Sequence, residues 1–137
     1  MSPDSERANI ADELAQSARA MRAAEALTDL GLFPDAISRL YYALYHALRG
    51  LLLSEALEPK THDGAGNLFG LHFVKPGLFA PQDALTLRRI RAYREAADYA
   101  RAFVLPETEC RRELEAGHAF IAAVRAYLTA KGLLDVG

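Results

Sequence analysis

In the stretch "SRLYYALYHALRG", Ser38 to Gly50, two side chains capable of chemistry sit in an otherwise oily run: Arg39 and His46. A histidine exchanges protons near neutral pH, and a guanidinium holds oxyanions through several donors. Helical residues advance by about 100° each, so seven steps bring Arg39 and His46 within roughly 20° of one another. Tyr42 and Ala43 lie between them on the same face, and Gly50 continues the line. The other faces carry Leu40, Tyr41, Leu44, Tyr45, Leu48, Leu51 and Leu52. The small Ala43 and Gly50 leave room for another helix or a ligand to come close. A structural role is the plainer alternative, with Arg39 paired to a carboxylate such as Asp98 and His46 a core histidine with one hydrogen bond. Yet a buried charge is costly without a partner, and even a paired one is often no better than an apolar substitute. Two such groups on one stripe are more economically explained by a site.

The elements that must position this stripe are helices. Ile10, Leu14, Ala18, Met21 and Leu27 recur at three- and four-residue steps and predict a first helix from about Asp4 to Leu30, stopped by Gly31. Pro34 and Asp35 suit a helix start, and the second helix runs to about Ala56. The segment "EPKTHDGAGNLFGLHFVKPGLFAP" reads as a loop with one short helical turn near Asn67 to Phe73. Leu68, Phe69, Phe73 and Val74 should pin it to the body. Pro81 opens a third helix to about Phe103. Pro106 and Thr108 open a fourth, whose buried side is marked by Leu114, His118, Ile121, Val124 and Leu128 and which Gly132 ends. No segment alternates with period two. The expectation is an all-α fold: a four-helix up-and-down bundle with a longer loop or short helix between helices 2 and 3, forming a single domain over residues 1–137.

Composition agrees with a globular protein. The 137 residues are 51% apolar and 25% charged, and the formal net charge is -2. No global basic field draws in nucleic acid, so any contact with phosphates must come from a local patch. Cys110 is the lone cysteine, which excludes an internal disulfide and suits a reducing compartment. The start "MSPDSERAN" lacks the features of a signal peptide, and no apolar run approaches a membrane span. A soluble cytoplasmic protein is expected.

Three segments taken in order carry a resemblance: "AISRLYYALYHALRGLLL", "PKTHDGAGNLFGLHFVKPGLF" and "YREAADY". Together, over about Asp35 to Tyr99, the chain resembles the HEPN domain. It is most similar to the small stand-alone prokaryotic HEPN proteins often encoded beside a minimal nucleotidyltransferase. The resemblance implies a four-helix bundle that dimerises. It also implies an Arg-x(4–6)-His motif that cuts RNA without a metal, and Arg39 and His46 are separated by six residues. Leu40 follows the arginine where many nuclease members carry a polar residue. Ala47 and Leu48 follow His46, so the tyrosine of the Arg-x4-His-x-Tyr variant, the usual target of antitoxin-driven modification, is absent. What the resemblance implies is a metal-independent endoribonuclease, the toxin of a toxin–antitoxin pair. It would cleave single-stranded RNA through its own 2′-hydroxyl, with Arg39 and His46 as the catalytic pair and no cofactor. The expected partners are a second copy of the chain, RNA and a nucleotidyltransferase antitoxin. The rival reading is a non-catalytic module that docks a nucleotidyltransferase or binds a nucleotide.

Other signals are weaker. Arg88, Arg91, Arg94 and Arg101 fall on one side of the third helix, opposite Leu85, Ala92, Ala96, Tyr99 and Phe103. They read as a track for phosphates or, through Arg91–Glu95 and Arg94–Asp98, as a solvated ion-paired face. The "GAGNLFG" run has the wrong final spacing for a dinucleotide fingerprint, and no strand precedes it. His62 and His72 are ten apart with no second ligand pair, so no metal site is expected. His62, beside Lys60, is a candidate for substrate contact. Tyr42 is placed to orient His46 or stack on a base, and Arg91 and Arg94 to support the substrate. Tyr41 and Tyr45 read as packing residues and His118 as a core histidine.

Overall fold

The computed structural model describes residues 2–99 and 103–135. Among them are five α-helices and no strand: α1 Pro3–Asp29, α2 Phe33–Leu53, α3 His62–Phe69, α4 Pro81–Tyr99 and α5 Glu107–Ala130. The four long helices form the bundle, and α3 lies in the connection between α2 and α4. Ser2 caps α1 by accepting a hydrogen bond from the Ser5 N–H at 3.2 Å, with Pro3 in the first turn. Gly31, at φ 78°, turns the chain into α2.

Helix α2 is the centre of the molecule and packs against every other α-helix. It buries eleven of its 21 residues, from Ala36 to Leu52. Two glycines set its closest approaches. A Cβ on Gly50 would come within 2.5 Å of Leu14 Cδ2 on α1, and one on Gly117 of α5 within 2.6 Å of Leu40 Cδ1. The Ser17 hydroxyl on α1 donates to the Ala43 carbonyl at 2.7 Å. The small residues of the α2 stripe are therefore covered by α1, and the neighbour that comes close is a helix of the same chain.

The segment after α2 is more helical than its sequence suggests. Thr61 caps α3, accepting from the Gly64 N–H at 2.8 Å, and a π-helical turn, Gly70–Val74, continues it. Phe69 and Phe73 are fully buried, with Leu68 and Val74 packed beside them. Phe69 meets Phe120 of α5 edge-on at 5.7 Å, and Phe73 meets Tyr127 at the same distance. This aromatic cluster holds α3 in place despite its glycines.

Three expectations about helix faces need correction. In α4 the side turned to the core carries Thr86 and Ile90, with Tyr93 and Ala97 packed beside them, while Leu85, Ala92 and Tyr99 are exposed. Small alanines are indifferent to burial, so Ile90 and Tyr93 decide the face. Helix α4 is described as far as Tyr99, Arg101 lies outside the described residues, and Phe103, where the helix was expected to end, is not helical. In α5 the buried stripe passes through Gly117 and Phe120, which turns His118 out to solvent, where its Nε2 lies 2.6 Å from Glu25 Oε1. In α1 the stripe runs Ile10, Leu14, Ser17, Met21, Ala24 and Thr28, leaving Ala18 exposed.

Candidate functional site

Arg39, Tyr42 and His46 emerge from under α1 and form one wall of a groove of about 380 Å³, whose other wall is Gln16, Arg19, Ala20 and Ala23 of α1. Arg39 is exposed and His46 half-buried, so the stripe lies at the surface of the bundle and not in its core. The expected pair of Arg39 with Asp98 does not form, and with Arg39 exposed the cost of burying a charge no longer argues for a site. Asp98 instead lies 3.1 Å from the Nε of Arg94 and accepts a hydrogen bond from Ser38 at 3.3 Å, tying α4 to the start of α2. Arg39 forms no ion pair among the described residues, and its guanidinium stands 5.7 Å from the centre of the Tyr42 ring.

Among the described residues His46 has one hydrogen-bonding partner, which fixes its orientation. Glu13 of α1 accepts from Nδ1 at 3.0 Å, and the other oxygen of the same carboxylate is 3.9 Å from Arg49. With Nδ1 committed to the carboxylate, Nε2 carries the lone pair of the neutral ring. Glu13 sits at the edge of the apolar stripe of α1, one position before the buried Leu14, and from there it reaches across to α2.

Tyr42 is held by a second cation. Arg94 of α4 donates to the Tyr42 hydroxyl at 3.2 Å and stands 5.5 Å from the Tyr42 ring and 5.2 Å from the Tyr41 ring. Beyond it lies a separate cluster. The Tyr41 hydroxyl bonds to His62 Nδ1, the His62 ring stacks on Tyr45 with centroids 4.1 Å apart, and Arg91 pairs with Asp63 and, at 3.3 Å, with Glu95. Burial pushes the Tyr41 hydroxyl up to about 12, against the opposing pull of Arg91 and Arg94. Burial also lowers His62 below its ordinary value, and the charges of Arg91, Arg94 and Arg49 act in the same direction. Arg39, Tyr42 and His46 are thus gathered in one groove, His62 and Arg91 line another cleft, and Arg94 stands between them. Tyr41 and Tyr45, read as packing residues, face His62, and nothing in their spacing foretold it.

The profile of the HEPN domain matches residues 11–131, a span that runs from α1 to the end of α5 and includes both grooves. The chain belongs to the HEPN domain family. A candidate toxin of Methanocaldococcus jannaschii is 28% identical to it over 116 residues, 85% of this chain and 79% of that protein. A second candidate toxin of the same organism is 37% identical over 79 residues, 58% of this chain and 59% of the other. A UPF0332 protein of Pyrococcus horikoshii is 45% identical over 51 residues, 37% of this chain and 36% of that one. Within this HEPN domain no group of three or more His, Cys, Asp or Glu side chains is gathered for a metal ion among the described residues. No helix of the described residues is long and apolar enough to cross a membrane.

Proposed function

We propose that this HEPN protein is an endoribonuclease that cuts single-stranded RNA without a metal, and that it is the toxin of a pair whose antitoxin is a nucleotidyltransferase. The observation that carries this reading is the pairing of His46 Nδ1 with Glu13 in the same groove as the unpaired guanidinium of Arg39. Kinship with proteins named as candidate toxins supports it. In the reaction, His46 Nε2 takes the proton of the 2′-hydroxyl, and that oxygen attacks the adjacent phosphorus. Arg39 holds the non-bridging oxygens as their charge rises. The bond to the 5′-oxygen breaks, and the leaving oxygen must receive a proton. One groove holds one histidine, so a symmetric dimer that brings two grooves together supplies a second His46 as the acid. The products are a 2′,3′-cyclic phosphate end and a 5′-hydroxyl end.

Analysis of product ends tests this chemistry. An RNA with a single deoxyribose at the cut site should resist cleavage there, while neighbouring positions remain sensitive. Cleavage at the deoxy position, or products with 5′-phosphate ends, would mean that water or a protein group is the nucleophile.

A further inference from the structure

Arg39 is exposed, and no carboxylate among the described residues pairs with it. An arginine has many rotamers, and a group that meets charge only as it develops must already wait in place. The aromatic group its guanidinium stands against is Tyr42, 5.7 Å away at the ring centre, within the reach of a cation–π contact. Tyr42 was expected to orient His46 or stack on a base. His46 is held instead by Glu13, and the ring that meets it edge-on, at 6.3 Å, is Tyr45. Among the contacts of Tyr42, the one on the groove side is therefore Arg39.

The position of Tyr42 is set from α4. Arg94 donates to its hydroxyl at 3.2 Å and stands 5.5 Å from its ring centre, and Tyr41 packs against the ring edge-on at 5.5 Å. Arg94 is not among the side chains that line the groove. It is held in turn by Asp98, one turn further along α4, at 3.1 Å from its Nε. This carboxylate has an electrostatic consequence. Two bare guanidiniums beside one ring would repel each other. Asp98 offsets the charge of Arg94, so Arg39 can share the same ring with its own charge uncompensated. Asp98 also accepts from Ser38 at 3.3 Å, the residue just before Arg39, and so steadies the backbone from which Arg39 springs.

We infer that Asp98, Arg94 and Tyr42 form a brace by which α4 positions the guanidinium of Arg39, as Glu13 of α1 positions His46. Tyr42 and Arg94 are then positioning residues, and Arg94 acts through Tyr42 without touching the substrate. Each half of the catalytic pair is thereby oriented from a different neighbouring helix. The kinetic consequence rests on the ribonuclease reading; the ordering of Arg39 does not.

The order of the Arg39 side chain is measured by the heteronuclear NOE of its Nε–H, a resonance identified by its absence from the Arg39→Lys spectrum. In the wild type it should be well above that of a freely rotating arginine. It should fall toward that value in Tyr42→Leu, which removes the ring, and in Arg94→Met, which keeps the apolar stem but not the donors. Asp98→Asn should give a smaller fall in the same direction. Helical content should be unchanged in all three. In RNA cleavage, loss of a contact of this exposed kind corresponds to roughly two- to fivefold. Arg94→Met should therefore lower kcat by about that factor with KM unchanged, and should cost nothing further when added to Arg39→Ala. The inference is overturned if the wild-type Nε–H is as mobile as a free side chain, or if its order survives both Tyr42→Leu and Arg94→Met. It is also overturned if Arg94→Met exacts its full loss in the Arg39→Ala background, which would mean that Arg94 acts on the substrate itself. A protein that cuts no RNA but loses Arg39 order in these variants contradicts only the ribonuclease reading and supports the brace.

Discussion

Glu13 reaches His46 across the α1–α2 contact and fixes which ring nitrogen faces the groove. It is a positioning residue, and removing a general base itself costs about 10²- to 10⁴-fold. Glu13→Ala should lower kcat by less than that and leave KM unchanged, and Glu13→Gln, which keeps an acceptor oxygen, should recover much of the loss. Equal loss in both variants would argue for a role of the charge instead of orientation. His62 gives a second prediction, about pH. Burial, then Arg91, Arg94 and Arg49, hold its ring below the ordinary 6.5, with Asp63 opposing and Tyr41 and Tyr45 packed against it. Below 6.5 the unfolded chain takes up a proton that the folded one resists, so the unfolded state binds more protons and stability falls as the pH falls. His62→Gln should flatten the decline in urea-melt stability between about pH 7 and pH 5.5. An unchanged slope would mean that other groups cause it. Arg39 and His46 were legible at this scale because their seven-residue spacing needs no partner to interpret. Glu13, Tyr41 and Tyr45 were not, since their roles arise only when α1 and α3 pack on α2.

Periodicity made the four long helices readable, because each carries enough large apolar residues to mark its stripe. It misplaced the inner face of α4, where arginines with long apolar stems alternate with alanines and only Ile90 and Tyr93 discriminate. It missed most of α3, where Gly64, Gly66 and Gly70 work against a helix that burial of Phe69 and Phe73 then enforces. It assigned His118 to the core because Gly117, the residue in contact with α2, carries no hydrophobic signal. The packing predicts opposite outcomes for two glycines. Gly50→Val should destabilise by roughly 1–3 kcal/mol through collision with Leu14, whereas Gly66→Ala should stabilise by up to about 1 kcal/mol. The α4–α5 contact rests on Arg89, whose Nε donates to the Glu113 carboxylate at 2.6 Å. Glu113 is 2% exposed and would be left buried and unpaired in Arg89→Met. That loss should fall toward the lower end of the roughly 3–5 kcal/mol typical of a broken buried pair, since the Arg89 side chain is 39% exposed and partly screened. A double variant with Glu113→Leu should recover most of it. Chemical denaturation of the four variants checks all of these values.

At the scale of the molecule, the bundle presents two grooves on either side of the α2 tyrosines, one with the Arg39–His46 pair and one with the aromatic cleft. The first supplies a base and an oxyanion holder but a single histidine, so the account needs two copies of the chain. Light scattering at micromolar concentration should give twice the 15.0 kDa chain mass. A monomer that still cuts RNA would remove the shared site. The central claim is the chemistry of Arg39 and His46, and the most direct test is RNA cleavage by the purified protein in EDTA, beside Arg39→Ala and His46→Ala. The account predicts that the wild type cuts single-stranded RNA and leaves DNA untouched, and that each variant loses about 10²-fold or more while retaining its helical content. A wild type inert on every RNA, or variants that cut as well as it does, would contradict the account.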